Sequence, residues 1–294
     1  MSHAQPPPPV DMVADAWTTH PTAHVLVGGA GNISMADIPN HIAKMHVLDL
    51  PRSERIRARV DEIIHDKTCK RSCFHDDYLA AFNRPNVKLV DTDGKGVQGV
   101  TATGVRANDE HFDLDVLIYA TGFEVGAESP GSRSGISVVG RNGRTMDEKW
   151  AESPLTWHVI ATHGCPDMFF SGPNQAGLSV TVLALLDTVA KHVAFIVSET
   201  FARQGRGKVT IEPTLDAESA WGMQVLAGAG AMAPLATCTP SYINGERSMD
   251  NLPMERQMKA ASVGVWPKGM NDFMDVLQEW QNDGDFRELH VDTA

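Results

Sequence analysis

Basic residues are scarce in this chain. Its 25 Lys and Arg face 37 Asp and Glu, a formal net charge of −12 over 294 residues. A field of that sign repels phosphate, which excludes tracking of a nucleic-acid backbone or an anionic membrane surface as the main activity. Cysteine is scarce too. Cys69, Cys73, Cys165 and Cys238 are too few to staple a chain this long and read as reduced thiols of a cytoplasmic protein. The opening MSHAQPPPPVDMVADAW lacks both the basic and the apolar parts of a secretory signal. Pro6 to Pro9 make it an extended, solvated tail, with a polyproline ligand for an SH3-like module as the alternative. The longest apolar stretch, Leu178 to Val197, is interrupted by Asp187, Lys191 and His192, so it predicts a long buried helix and no membrane span. Nucleophile-elbow and His-Glu-x-x-His patterns are missing, so neither a hydrolase nor a metalloprotease is supported.

What is present suffices for a core of one large or two ordinary domains, since 42% of the residues are hydrophobic. HVLV (24–27) and MHVLDL (45–50) read as β-like runs, the second stopped by Pro51. Ser53 then looks like the N-cap of a helix with Ile56, Val60, Ile63 and Ile64 on one face. VKLVD (87–91), the turn Asp93 to Gly96 and residues 97–103 predict a hairpin. Asp113 to Thr121 predicts a buried strand, because Val116 to Ala120 is continuously apolar. Met168 to Ser171 predicts another. Helices are expected over 177–200, 214–228, 254–263 and 270–283.

Four segments carry candidate chemistry. VLVGGAGNIS (25–34) has Gly29-x-Gly31 after a strand, with Asp49 at the distance of a ribose-binding acid. Ser34 in the third glycine position and Pro39 in the would-be helix favour an ordinary glycine turn. Cys69, Cys73 and His75 are zinc-type ligands, but no second pair lies nearby to close a tetrahedron, so no metal is assigned. Lys70 and Arg71 between them suit a phosphate or a developing anion, or form a solvated basic turn. Thr121-Gly122 ends a strand where the backbone can approach a ligand closely. Gly172-Pro173-Asn174-Gln175 forms a rigid turn before the long helix, where Asn174 and Gln175 can read a heterocycle edge or serve as a simple cap.

In order, CKRSCFHDDYLAAFNRPNVKLVD, GVTATGV, DLDVLIYATGFEVG, MFFSGPNQAG, CTPSYINGE and VWPKGM resemble the flavin-dependent monooxygenases of the Baeyer–Villiger type, from about Ile56 to about residue 285. The resemblance implies FAD and NADP as cofactors and insertion of an oxygen beside the carbonyl of a ketone or related small molecule. Arg71 matches the family's catalytic arginine, whose fixed cation stabilises the peroxyflavin anion. Lys70 matches the lysine that leans toward the NADP phosphate. Thr121 and Gly122 match the strand end packed against FAD, and Gly172, Pro173, Asn174 and Gln175 match the loop beside the isoalloxazine ring.

The pattern also departs from the family. The pyrophosphate-binding Gly-x-Gly-x-x-Gly, the NADPH glycine loop and the signature with its central histidine are missing, and Ser72 stands where proline is usual. The chain therefore resembles the C-terminal portion, a truncated or split enzyme expected to retain FAD weakly on its own. The implied fold class is α/β, an incomplete Rossmann-like FAD/NAD(P)-binding fold with a mostly helical C-terminal part. The implied division is 1–52 as tail and irregular segment, 53–176 as the remnant of the dinucleotide-binding region, and 177–294 as the helical part. Two rivals remain: a flavin-free remnant that pairs with an intact homologue, and a cofactor-free isomerase or cyclase.

Overall fold

The computed structural model describes residues 33–63, 77–122, 129–152, 154–172, 174–177, 182–205, 207–237, 244 and 253–293. The Gly29-x-Gly31 turn, the whole Cys69–His75 segment with Lys70 and Arg71, and Pro173 lie outside those residues. Two compact units form, one of residues 47–123 and one of residues 1–46 with 124–294.

The expected strand at 45–50 is instead part of one helix, α1 (Ile38–Ile63), which runs through Pro51. The least exposed positions, Ile38, His41, Ile42, Met45, Asp49, Arg52, Ser53, Ile56, Val60 and Ile63, follow one helical stripe with gaps of no more than four residues. That helical period outweighs the one backbone hydrogen bond that a proline removes. Ser53 is therefore no N-cap. It donates to the Asp49 carboxylate, which also pairs with Arg52, so Asp49 sits within a helix and not at a strand end.

Residues 47–123 also hold a three-stranded antiparallel meander of β1 (Gly99–Val100), β2 (Gly104–Ala107) and β3 (Glu110–Asp113). The expected hairpin is displaced, and 87–91 is not a strand. Asn108 and Asp109, both at positive φ, make the tight turn between β2 and β3 that the twist of paired strands favours. The predicted buried strand fares differently again. Its first residue closes β3, and 114–122 continues outside any ladder, exposed on both faces. A continuous apolar run is buried only if other strands flank it, and none does among the described residues.

In the other unit, helices dominate. α2 (Met146–Glu152) is followed by α3 (Val182–Gln204), which buries Leu185, Val189, His192, Ile196 and Thr200 along one face. α4 (Leu215–Gly228) starts where the sequence places it. Thr214 accepts from the Ala217 amide, and Asp216 and Glu218 occupy the positive end of the helix dipole. α5 (Met254–Ser262) and α6 (Gly269–Asp283) follow. Before α4 lies β4 (Val209–Pro213), paired antiparallel with the last element, β5 (Leu289–Thr293).

Residues 168–171 are not a strand, although the Phe170 amide donates to the Ile160 carbonyl at 2.9 Å. The core gathers Trp157, Ile160, Ile196, Trp221, Val225, Trp266, Phe273 and Leu277 around these helices. The class is thus mixed and helix-rich, with a mostly helical C-terminal part. No described helix is long and apolar enough to cross a membrane.

Candidate functional site

Residues 175–177 bring distant parts of the sequence together. Gln175 is fully buried at a φ of +63°, a conformation that disfavours a side chain. Four hydrogen bonds hold it there. Its Oε1 accepts from the Thr156 amide at 2.8 Å and from the Thr156 hydroxyl. Its Nε2 donates to the Ser262 carbonyl at 2.8 Å, and its own amide donates to the Gly264 carbonyl. These bonds engage the Gln175 side-chain oxygen twice and one of its two amide N–H donors. The bonds tie the turn to the end of α5.

The following residues complete the tie. The Trp266 amide donates to the Ala176 carbonyl, and Gly177 bridges Trp266 in parallel. Trp266 stacks on Trp221 with ring centroids 4.4 Å apart and donates from Nε1 to Asp272 at 2.6 Å. The segments NQAG and VWPKGM, about 90 residues apart, thus form one packed corner. Gly177 is needed at that corner because a Cβ there would lie 2.7 Å from the Met270 Cα and 2.8 Å from the Phe273 Cβ. Backbone cannot rotate aside as a side chain can. Gly177→Ala is expected to lower stability by about 1–3 kcal/mol, read as the urea midpoint.

Gly172 and Asn174 are half-buried, and a Cβ on Gly172 would meet open space. Thr121 and Gly122 are exposed, with Gly122 at a φ of +83° that suits glycine alone. These two pairs belong to different compact units. The Thr121 and Gly122 backbone is accessible within its own unit, and Gly172 and Asn174 are partly so within theirs. Enclosure and a phosphate cradle are not found among the described residues. Nor is a group of three metal-ligating side chains.

Sequence reasoning missed a second feature, a pair of buried imidazoles. His158 Nδ1 and His192 Nε2 lie 3.0 Å apart, and Gln281 Nε2 lies 2.8 Å from His192 Nδ1. Gln281 donating to His192 passes the proton direction along to His158, whose Nε2–H then faces Glu288 at 3.8 Å. The opposite polarity would aim a lone pair at that carboxylate.

Trp157 stacks on His158 at 3.9 Å, and Trp221 and Trp280 meet it edge-on. Burial and the neighbouring His192 hold the His158 imidazole well below its usual pKa. Burial alone takes His192 down to about 4. Both rings are neutral near pH 7. The turn that inserts His158 is strained, with His158 and Val159 both at positive φ. Residues 34 positions apart leave no local signal, so this pair was not legible.

A buried ion pair supports the same unit. Lys149 Nζ on α2 donates to both Glu218 oxygens on α4 at 2.6 and 2.9 Å. Glu218, 2% exposed, also accepts from the Thr162 hydroxyl and the His163 amide. Burial pulls the Lys149 ammonium below its usual range, and Glu218 pushes it back.

No protein-family profile matches the chain. Curated relatives do match. A chermesin D/asnovolin J monooxidase of Aspergillus novofumigatus is 40% identical over 98% of this chain and 46% of its own length. An FAD-binding monooxygenase of Emericella nidulans is 40% identical over 98% of this chain and 44% of its own. Among solved structures, the polycyclic ketone monooxygenase of the thermophilic fungus Thermothelomyces thermophila superposes with a TM-score of 0.84 at 34% identity. That match covers 96% of this chain and 47% of the other. The chain spans about half the length of the relatives it matches.

Proposed function

We propose that this chain, which is 40% identical over 98% of its length to an FAD-binding monooxygenase and superposes on a polycyclic ketone monooxygenase, is part of a Baeyer–Villiger-type flavin-dependent monooxygenase and supplies about half of an enzyme that oxidises a ketone or related small organic molecule. The balanced reaction is ketone, O2, NADPH and a proton giving ester or lactone, NADP and water. The observation that carries this reading is the packed corner at Gln175, Gly177 and Trp266, because it joins two of the family-like segments in one framework.

FAD, when bound, supplies the oxygen-activating chemistry. The chain's own part is to bind and orient. By the resemblance, Thr121 and Gly122 would offer backbone to the cofactor, as would the segment Gly172, Pro173, Asn174 and Gln175. Lys70 would hold the NADP phosphate. Arg71 would be the fixed cation at the developing negative charge, worth the most where water is excluded. The division at 53–176 and 177–294 and a cytoplasmic setting belong to the same proposal. The net charge of −12 argues against nucleic-acid and membrane partners.

Flavin fluorescence titration tests the binding half of this reading. Alone, the chain is expected to quench added FAD only weakly, and with the other half of a relative's fold it should bind FAD in a 1:1 ratio. Arg71→Ala should leave that binding unchanged while ketone-stimulated NADPH oxidation falls by about 10²-fold or more. Unchanged ketone-dependent turnover in Arg71→Ala would refute the role of Arg71. Colourless protein that co-purifies with an intact homologue would favour the flavin-free partner instead.

A further inference from the structure

Four of the six tryptophans, Trp157, Trp221, Trp266 and Trp280, form one run through the unit of residues 1–46 and 124–294. The run begins at the packed corner. There the Trp266 amide donates to the Ala176 carbonyl, one residue past the turn that the resemblance sets beside the flavin ring. Trp266 stacks on Trp221 with centroids 4.4 Å apart, and Trp221 meets His158 edge-on at 4.8 Å. His158 stacks on Trp157 at 3.9 Å, and Trp157 meets Trp280 edge-on at 5.2 Å. Trp280 is half-buried, so the run ends at solvent. The indole N–H groups differ along it. Trp266 Nε1 donates to the Asp272 carboxylate at 2.6 Å and Trp157 Nε1 to the Glu288 carboxylate at 2.8 Å. Trp221 Nε1 is buried with no partner among the described residues. Filling space asks for none of this, because an apolar side chain packs without a polar group to satisfy.

We propose that Trp266, Trp221, Trp157 and Trp280 are a relay for oxidising equivalents, which draws a one-electron oxidant's vacancy away from the corner and discharges it at the surface. Indole is among the side chains that give up an electron most readily, and rings in contact let the vacancy hop. The oxidant is of the hydroxyl-radical class, formed when O2 is activated and no ketone takes the oxygen. It gains one electron from Trp266 and a proton from solvent and becomes water, while the Trp266 Nε1 proton passes to Asp272, within a proton acceptor's reach. An electron from Trp221 refills Trp266, and the proton returns. Trp221 has no acceptor for its own proton, so the vacancy moves on past His158 to Trp157, where Glu288 takes the Nε1 proton. An electron from Trp280 refills Trp157 in turn. At the surface a thiol in solution returns one electron and one proton to Trp280. The sum is one hydroxyl radical and one thiol giving water and a thiyl radical. Only the source of the oxidant rests on the monooxygenase reading.

The test supplies the oxidant without flavin. A ruthenium polypyridyl photosensitiser is attached to the full chain at Asn174→Cys, with Cys69→Ser, Cys73→Ser and Cys238→Ser. Cys165 stays, being buried. Flashes with an electron-accepting quencher then draw an electron from the corner. The expected result is the absorbance of an indolyl radical and, after repeated flashes in air, added oxygen mapped by mass spectrometry to Trp280, with Trp266 unmodified. Trp280→Phe should move the product to Trp157, and Trp221→Phe should move it to Trp266. Trp150→Phe, in a separate cluster, should change nothing. The absence of an indolyl radical overturns the proposal, as does oxygen on Trp266 or Trp150 in the labelled parent. So does product on Trp280 that persists in Trp221→Phe, or that unattached sensitiser forms equally well. Should Trp221→Phe fail to fold, the unattached sensitiser and Trp280→Phe still decide. A working relay in a chain whose assembled form ignores ketones would uphold the relay and sink the monooxygenase reading. Ketone-dependent turnover with product confined to Trp266 would do the reverse.

Discussion

Glu218→Ala is expected to destabilise the unit of residues 124–294 by about 3–5 kcal/mol, the usual effect of leaving one member of a buried ion pair without its partner. The Lys149 ammonium would lose both of its short contacts to Glu218 while remaining 12% exposed. The Thr162 hydroxyl and the His163 amide would lose their acceptor as well. Urea unfolding of the single variant and of Lys149→Met with Glu218→Leu separates attraction from desolvation. The double variant removes both charges and should regain most of the loss, because a packed apolar pair needs no solvation. A single variant within 1 kcal/mol of the parent would show that water reaches Lys149.

The second large effect is a dependence on pH. His192 has a folded pKa of about 4 against 6.5 for the free side chain. Between those values the unfolded chain binds more protons than the folded one, so acid favours unfolding. The contribution is complete above pH 6.5, is lost as the pH falls toward 4, and is flat below. From pH 7.5 to 4.5 it amounts to about 2.5 kcal/mol for His192 alone. His158 shifts in the same direction and adds to it. Carboxylates also titrate in this range, so the informative quantity is the difference from His192→Gln. That variant should lose less stability than the parent over the same interval. Parallel pH profiles would mean that the imidazoles are solvated.

How much of this was legible depends on whether a signal was local. Thr214, Asp216 and Glu218 announce α4, and its start is where they predict it. The amphipathic periods of α5 and α6 were also readable. β4 and β5 were not, because five-residue strands containing Glu212 and His290 gain their identity only from a pairing about 80 residues away. MHVLDL looked like a strand because its residues favour one, and Pro51 looked like a stop, yet the stripe of α1 continues past both. The run at 114–120 reads as buried from its apolar composition, whereas burial itself requires neighbours, which the described residues do not supply. In the site, the turn at 172–177 was evident, but the role of Gln175 was not. Its partners, Thr156 and Ser262, adjoin it only after folding.

The central proposal is that this chain supplies about half of an oxygen-inserting flavoprotein. Isotope incorporation tests it most directly, with the chain assembled with the unmatched half of the thermophilic relative and given FAD, NADPH, a polycyclic ketone and 18O2. The account predicts an ester or lactone product carrying one 18O atom, formed in step with NADPH oxidation. NADPH oxidation that ignores the ketone, or a product without label, would contradict it.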